Sequence, residues 1–579
     1  MSKNWRANTV LFLIFVAGGI VLSRLFYLQI NQGSFYKAMA QGQQTSVEDQ
    51  QGERGNIYFT NGEPLALTEK EPYVFISPKE ISDSEKDSIV TKLSSALDLD
   101  KSELMAKANK SESQYEIIKT DLSKEKADEI KNLKFKGVYL DYKQTRSYPN
   151  IKTASQLSGY INKDNEGQYG LEAYYDNILK GKSAVKKTSS NPWNFLLSMD
   201  TGDTFNGQSL YLTIDYNIQY MAEKLLTQKA KEFDYRSAQI IVMDPTTGAI
   251  IAMAQYPLFD PNNYQKEKNY SIFQNDSVEK LFEPGSIFKS ITMAAAINEK
   301  AVTPQTTYTD KGYEQYGANK VSNYNEHVWG LITMTNALEH SINTGLMFAE
   351  RQLGNKKFLE YLQNFGFFEN SEIDLSGEVH SKNSQLLQAL ESNNPNNTSF
   401  PNTSFGQGIG ITPLHITSAY CAIANGGNLM KPYIVKEIDN GIIKQTTQPE
   451  VVRRVLTAES TTTMKTMMVS VIENGYGHLA KIPGYYIAGK TGTSQVPWSS
   501  LGISKKGYSD ETWQTFLGFA PAYNPKFVAL VKLDNPVAVK TSEYSATPIF
   551  HDLAKYILDY WQIPPDYSTE QTATTTPVK

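Results

Sequence analysis

One cysteine in 579 residues is this chain's clearest shortage. A lone thiol, Cys421, excludes an intrachain disulfide and a cysteine-based zinc cluster. Its neighbours, Ala419-Tyr420-Cys421-Ala422-Ile423-Ala424, are apolar, so it reads as a small buried hydrophobe. Histidines number six and none sit at a His-x-x-x-His spacing, so no metal and no other cofactor is expected. Neither sign of charge dominates: 56 basic residues face 61 acidic ones, a net charge of -5, which gives no general attraction to nucleic acid.

Long hydrophobic runs are also scarce, and the one that matters lies at the N-terminus. Residues 9–23 carry no charge and are rich in Val, Leu, Phe and Ile; Lys3 and Arg6 precede them, and Arg24 introduces Leu25-Phe26-Tyr27-Leu28-Gln29-Ile30. The run alone is shorter than the roughly 20 residues that cross a bilayer. The shortfall closes if Arg24 snorkels to the interface and residues 25–30 continue the helix, with Trp5 and Tyr27 as interfacial anchors. A cleaved signal peptide is the competing reading, but its small-x-small site, Ala38-Met39-Ala40, lies far beyond the apolar run. The expectation is an uncleaved single-pass anchor over residues 1–30, with its basic end in the cytoplasm and the remaining mass outside.

Length alone would suggest about four domains, whereas the distribution of motifs argues for two beyond the anchor. Residues 31–205 are polar and loop-rich, with lysine-bearing helical stretches at 82–95 and 123–133. Within them Gly52-Glu53-Arg54-Gly55-Asn56-Ile57-Tyr58-Phe59-Thr60-Asn61-Gly62 reads as two strand pieces joined by an Asn-Gly turn. Near Gly207 the texture changes. Leu210-Tyr211-Leu212-Thr213-Ile214-Asp215 reads as a strand, a helix starts at Ile218-Gln219, and the apolar runs 238–243 and 250–254 flank Asp244-Pro245-Thr246-Thr247-Gly248 as a hairpin. A helical and loop-rich region to about residue 480 follows. Strands are expected again at 485–488, 515–519 and 527–533, with a closing amphipathic helix at 548–561 and a disordered tail over 565–579.

Chemistry concentrates in three short segments. In Glu283-Pro284-Gly285-Ser286-Ile287-Phe288-Lys289 the serine and lysine lie three apart at the start of a helix, on one face. The glycine leaves the hydroxyl accessible, and the helix N-terminus disfavours a protonated lysine. A weak nucleophile is activated in this way. Alone, this tetrad is hard to separate from a capped helix with a surface lysine. Ser341-Ile342-Asn343 lies 55 residues further on, and Lys490-Thr491-Gly492-Thr493 follows the strand-like Tyr485-Tyr486-Ile487-Ala488-Gly489. The three segments stand in the chain order of penicillin-interacting serine acyltransferases.

On these residues the chain resembles the class B penicillin-binding proteins, membrane-anchored monofunctional peptidoglycan transpeptidases. The resemblance runs from the anchor to about residue 562. It includes Arg54-Gly55-x-Ile57, Asn61-Gly62, Leu65-Ala66, Arg146-x-Tyr148-Pro149, Gly170-Leu171-Glu172 and Tyr175-Asp176 in the first half. In the second it includes Leu212-Thr213-Ile214-Asp215 with Gln219, Ser404-Phe405-Gly406-Gln407-Gly408, Thr412-Pro413, Ala424-Asn425-Gly426-Gly427 and Glu473-Asn474-Gly475. It implies an α+β chain with a transmembrane helix (1–30), an elongated mixed pedestal or dimerisation domain (31–205), a transpeptidase domain with a central antiparallel sheet flanked by helices (206–564), and a tail (565–579).

The resemblance also implies roles. Ser286 would attack the carbonyl between the two terminal D-alanines of a stem peptide and Lys289, held neutral, would accept its proton. Ser341 would relay that proton, Asn343 would hold the substrate amide, and Lys490, Thr491, Gly492 and Thr493 would line the opposite wall, facing the terminal carboxylate. Backbone N–H groups of Ser286 and Thr493 would form the oxyanion hole. An amine from a neighbouring stem peptide would complete the crosslink, beta-lactams would acylate Ser286, and a membrane glycosyltransferase would be the partner.

Departures from the family pattern are local. Phe59-Thr60 replaces Asp-Arg in the pedestal turn, Ile151 and Gln156 stand where Gly and His are usual, Asp276-Ser277 follows Asn275 where Arg-Ala or Pro-Ala is usual, and His415 replaces Gln. A class A beta-lactamase would carry a Glu-x-x-Leu-Asn element to activate water, and none lies between Asn343 and Lys490. A bifunctional enzyme would need a glycosyltransferase signature, which residues 31–205 lack. A protein that only senses beta-lactams would not need the intact lysines, asparagine and threonines. The Glu283-Pro284-Gly285-Ser286 lead-in leans toward a division enzyme at the septum, with an elongation enzyme as the alternative.

Overall fold

The computed structural model describes residues 5–32, 45–50, 52–182, 184–189, 206–392 and 394–568. They fall into two units. One takes the described residues within 1–54 and 180–207, the other those within 55–179 and 208–579.

In the first unit a single α-helix, Trp5–Phe26, continues as a π-helical turn, Tyr27–Asn31. The apolar span Asn8–Ile30 is 23 residues long with mean hydropathy 2.2 and none of it buried by protein. At about 1.5 Å per residue this exceeds the roughly 30 Å hydrocarbon core. The helix runs through Arg24 unbroken, and the Arg24 guanidinium lies 5.6 Å from the centre of the Tyr27 ring. The strands Thr45–Gln50 and Ala184–Ser189 pair antiparallel in this unit.

The second unit holds two sheets that matter. The larger has seven strands and begins with the expected hairpin, Ile57–Tyr58 and Pro64–Ile76, joined through Asn61 and Gly62, whose φ is +87°. Glu116–Lys119 and Val138–Ser147 both pair with Pro64–Ile76. Alternation along that strand sends Val74 and Ile76 into a core with Ile89, Leu93 and Leu97 of the helix Lys86–Leu97, Leu104 of Lys101–Ala108 and Ile130 of Lys124–Leu133. On its other side Ile57–Tyr58 pairs in parallel with Ser209–Leu212, which pairs with Val435–Asp439. Main-chain hydrogen bonds thus span the expected boundary near residue 205.

The quoted pedestal residues meet at one buried ion pair. Arg146 Nε lies 2.7 Å from Glu172 Oε1, with both side chains almost fully buried. The same guanidinium donates through Nη1 to the Gly55 carbonyl (2.8 Å) and to Thr68 Oγ1 (3.0 Å), and Tyr148 Oη donates to Glu172 (3.2 Å). Ile151 has a φ of +49°, a left-handed conformation that a β-branched residue adopts only at a cost. A glycine would suit that position better. Gln156 is buried and donates to the carbonyls of Pro257 (2.8 Å) and Ile272 (3.1 Å).

The second sheet is the expected antiparallel one, in the spatial order Ile250–Tyr256, Ser237–Met243, Phe527–Asp534, Tyr508–Ala520, Ala488–Pro497. Along Phe527–Asp534 the side chains of Phe527, Ala529, Val531 and Leu533 face a core with the helices Tyr216–Phe233 and Ala546–Tyr560, while Val528 and Leu530 face the opposite core. That second core contains the helices Lys289–Asn298 and Pro413–Ala424, so the nucleophile helix is packed within the domain.

Three expectations change. The last strand starts at Ala488 and runs to Pro497, so Lys490 to Thr493 lie within it and do not follow it. The backbone ahead of it is taken by the C-terminal segment: Asp566 N–H donates to the Gly484 carbonyl, and Tyr486 N–H donates to the Asp566 carboxylate, each at 2.8 Å. Asp566 and Tyr567 of the expected tail are thereby hydrogen-bonded to this segment, although residues 565–568 are exposed; residues 569–579 lie outside the described residues. Between 305 and 333, where helix and loop were expected, two hairpins form: Thr307–Asp310 with Gly330–Thr333, and Tyr313–Tyr316 with Asn319–Ser322.

Candidate active site

The nucleophile segment is held by backbone before any side chain acts. Gly285 has a φ of +57°, and its N–H donates to the Gly406 carbonyl at 3.0 Å. Gly406 has a φ of +83°, and a Cβ there would stand 2.2 Å from the Gly285 carbonyl oxygen. The Ser404-Phe405-Gly406-Gln407-Gly408 turn therefore acts as a backbone clamp on the residue before Ser286. From Gly285 to Phe288 the chain makes a 3-10 turn, and the α-helix proper is Lys289–Asn298. Ser286 is half-buried and Lys289 is completely buried. The Tyr420 hydroxyl donates to the Ile287 carbonyl at 2.6 Å, and Thr292 Oγ1 donates to the Ser404 carbonyl at 2.8 Å.

Ser341 and Asn343 flank the junction of two helices. Met334–Glu339 starts from a capping box of Thr333 and Asn336, and Asn343–Leu353 begins the next helix. Between them Ser341 has a φ of +54°. Such a conformation costs a serine about 1 to 3 kcal/mol and persists because its surroundings hold it. Its effect is to present both the carbonyl and the hydroxyl of Ser341 to one amine: Lys289 Nζ lies 2.5 Å from Ser341 O and 3.1 Å from Ser341 Oγ. Asn343 Oδ1 lies 2.7 Å from the same nitrogen.

The opposite wall is the edge strand Ala488–Pro497. Lys490 Nζ lies 3.0 Å from Ser341 Oγ and 3.1 Å from the Thr491 carbonyl, so one hydroxyl bridges two lysines. Thr491 is buried beside Lys490, whereas Thr493 is exposed. Gly492 is required by close approach, because a Cβ would stand 2.4 Å from Thr515 Oγ1 and 3.1 Å from the Pro284 carbonyl oxygen. Ser542 N–H donates to Thr493 Oγ1 at 3.1 Å, and the two hydroxyls are also 3.1 Å apart. The sequence reading missed Ser542, Tyr420 and the Gly406 clamp. Only the Gly-x-Gly spacing in 404–408 carried a signal.

All three expected segments therefore converge on Lys289. Among the described residues neither lysine pairs with a carboxylate, and both are fully buried. Burial holds Lys289 well below the usual lysine range, and the Lys490 charge pushes it further. Burial alone lowers Lys490, to about 7. Because the two amines share the Ser341 hydroxyl, they titrate as a coupled pair. A neutral amine has two N–H donors and one lone pair. Ser341 O and Asn343 Oδ1 can only accept, so they take both donors. The lone pair is left for a hydroxyl, which is the condition for a general base, and the hydroxyl that meets it in this structure is that of Ser341, at 3.1 Å.

The comparisons with known proteins give the family of the chain. Residues 238–555 match the family model for the penicillin binding protein transpeptidase domain, and residues 49–212 match that for the penicillin-binding protein dimerisation domain. The chain is 31% identical over 526 residues to stage V sporulation protein D of Bacillus subtilis, covering 89% of this chain and 79% of the relative. It is 25% identical to the peptidoglycan D,D-transpeptidase FtsI of Escherichia coli K12, over 98% of this chain and 93% of that one. Among solved structures, penicillin-binding protein 2X of Streptococcus thermophilus superposes with a TM-score of 0.77 at 21% identity, covering 89% of this chain and 80% of that one. Penicillin-binding protein 3 of Mycobacterium tuberculosis, complexed with aztreonam, gives 0.68 at 24% identity, over 90% and 98%.

A pH dependence follows from the lowered Lys289 pKa. Protonated Lys289 has no lone pair, so the rate at which a penicillin acylates the protein should fall as pH falls through that pKa, and level off above it. Stopped-flow acylation across pH, with the active fraction titrated at each point, reads this directly. A rate that stays flat while the fold is intact, down to where carboxylates protonate, would remove Lys289 as the base.

Proposed function

Because the chain belongs to the penicillin-binding protein transpeptidase family, we propose that it is a serine-type peptidoglycan D,D-transpeptidase whose acyl-enzyme forms on Ser286. The observation that carries the mechanism is the position of Lys289, whose two N–H groups are used by Ser341 and Asn343. Ser286 Oγ attacks the carbonyl between the terminal D-alanines as its proton passes to Lys289 Nζ. Breaking the C–N bond releases D-alanine, whose amine takes the proton through Ser341. Backbone N–H groups of Ser286 and Thr493 stabilise the oxyanion, each worth roughly 3 to 4 kcal/mol.

Lys490 and Thr493 receive the terminal carboxylate, with Thr491 and Gly492 completing that wall. An anionic substrate favours the charged form of Lys490 and raises its pKa from about 7. Crosslinking then reverses the first half: an amine of a neighbouring stem peptide attacks the ester and gives one N–H proton through Ser341 to Lys289, an amide forms, the bond between the acyl carbon and Ser286 Oγ breaks, and Lys289 passes that proton to Ser286 Oγ. Beta-lactams enter by the same attack and stop at the ester. No Glu-x-x-Leu-Asn element stands between Asn343 and Lys490 to direct a hydrolytic water.

The same reading extends to cellular role and topology. We assign residues 1–30 as a single-pass cytoplasmic-membrane anchor with the N-terminus inside, 31–205 as the pedestal, 206–564 as the extracytoplasmic transpeptidase domain and 565–579 as a tail. The Glu283-Pro284-Gly285-Ser286 lead-in supports septal wall synthesis, with elongation as the alternative. A membrane glycosyltransferase is the partner this reading implies.

A labelled penicillin should attach to Ser286 alone, as read by intact mass and peptide mapping, and Ser286→Ala should abolish labelling in a folded protein. The adduct should persist for many minutes, whereas a lactamase turning over near roughly 10 per second clears it in well under a second. Rapid steady-state hydrolysis of a chromogenic cephalosporin would favour the lactamase reading. The full chain should remain with membranes after a high-salt wash, and a mature N-terminus near Gln41 would replace the anchor with a secreted enzyme.

A further inference from the structure

One buried carboxylate has no part in the mechanism above. Asp310 is 1% exposed, and among the described residues it pairs with no lysine or arginine. Neutral donors hold it: Gly312 N–H (3.0 Å), Asn323 Nδ2 (3.0 and 3.1 Å to the two oxygens), Trp329 N–H (2.8 Å) and Thr344 Oγ1 (2.6 Å). These partners offset the cost of burying the charge. They also come from separate places. Gly312 and Asn323 flank the hairpin Tyr313–Tyr316 and Asn319–Ser322, Trp329 precedes the strand Gly330–Thr333, and Thr344 lies in the first turn of the helix that carries Asn343. One carboxylate therefore ties both hairpins to the start of that helix.

The consequence falls on the Asn343 carboxamide, whose two ends have nearly the same shape. Oδ1 faces Lys289 Nζ at 2.7 Å, and Nδ2 donates to the Ser322 carbonyl at 2.9 Å. Turned over, the amide would set its oxygen against the Ser322 carbonyl and its NH2 against Lys289. It would then donate to the lone pair that has to receive the Ser286 proton. The Ser322 carbonyl is what selects the productive orientation. Ser322 is followed by Asn323, which is tied at both ends of its side chain: Nδ2 to Asp310 and to the His327 carbonyl (3.1 Å), and Oδ1 to Thr344 N–H (3.1 Å).

We propose that Asp310 is a positioning residue for the transpeptidase reaction: through Asn323 and Thr344 it holds the Ser322 carbonyl against Asn343, and so keeps the Asn343 amide from capturing the Lys289 lone pair. This rests on the reading of Lys289 as the base. The sequence offered no direct sign of it, since Asp310 lies 31 residues before Ser341 in a segment read as loop and helix.

The test uses the full-length protein, a labelled penicillin, and the variants Asp310→Asn, Thr344→Val and Lys289→Arg. In Asp310→Asn one acceptor oxygen becomes a donor that confronts Trp329 N–H or Thr344 Oγ1. The acylation rate per active molecule should fall about tenfold, short of the roughly 100-fold that follows loss of a general base. The acid limb of its pH profile should move to lower pH, because a donor on the lone pair favours the neutral amine. Lys490 is the titratable group that acts on Lys289; Asp310→Asn also removes a negative charge, which lowers the amine in the same direction, so the charge-neutral Thr344→Val decides the acid limb. Thr344→Val removes the hydroxyl that lies 2.6 Å from Asp310 Oδ1 and 3.1 Å from Asn323 Oδ1, leaves the charge unchanged, and should shift rate and acid limb in the same direction by a smaller factor. It keeps the test open if Asp310→Asn does not fold.

A merely structural role would lower the fraction of protein that binds penicillin and leave the rate and acid limb of the remainder unchanged. That result, in whichever variants fold, overturns the proposal. Lys289→Arg separates the two claims. If it acylates at the parent rate, the base assignment itself fails; if it is inert while Asp310→Asn and Thr344→Val behave as the parent, only the role of Asp310 fails.

Discussion

A lysine amine sealed from water with no carboxylate beside it is the constraint on which the catalytic half is built. Burying an ammonium costs several kcal/mol even after relaxation. Burial and the Lys490 charge hold Lys289 well below the usual lysine range, which favours the neutral amine that the proposed base role requires. Neutrality alone is not sufficient. The two N–H groups must be occupied by acceptors that cannot donate, or the lone pair points nowhere useful. Ser341 O and Asn343 Oδ1 meet that requirement at 2.5 and 2.7 Å. Lys490 is the second amine on the Ser341 hydroxyl, and burial lowers it to about 7.

Much of the surrounding structure serves to hold these atoms still. The left-handed Ser341 turns two oxygens toward one nitrogen, the Gly406 clamp fixes the residue before Ser286, and Gly492 lets the edge strand pack where a Cβ would stand 2.4 Å from Thr515 Oγ1. None of these positions gains stability by itself. The left-handed φ of Ser341 costs about 1 to 3 kcal/mol, and the glycines cost backbone entropy. The two large cores on either face of the five-stranded sheet offset them, with the nucleophile helix embedded in one and the closing helix in the other.

The sequence made the elements legible where pattern and local chemistry agree. The apolar runs around Asp244 to Gly248, the Asn61-Gly62 turn and the closing amphipathic helix all formed close to where alternation and turn residues put them. The three motif segments were legible as a set because their order is informative, although their meeting point was not. Lys490 to Thr493 were read as following a strand, since the aromatic run before them looks more strand-like than Lys-Thr-Gly-Thr does; a C-terminal segment some 80 residues on claims that backbone. The hairpins over 307–333 were missed because Gly312, Gly317 and Gly330 interrupt each alternating run after a few residues. Asp310 and Ser542 act through partners distant in the chain, and no local pattern marks such residues.

The protonation state of Lys289 is the central claim, and nuclear magnetic resonance of lysine selectively labelled at Nζ measures it without reference to turnover. In the protein free of penicillin, with Lys289→Arg used for assignment, one lysine nitrogen should show the shift of a neutral amine at pH 7 and move to that of an ammonium only on acidification. A resonance for Lys289 that keeps the ammonium shift from pH 7 upward to the ordinary lysine range near about 10.4 would contradict the account.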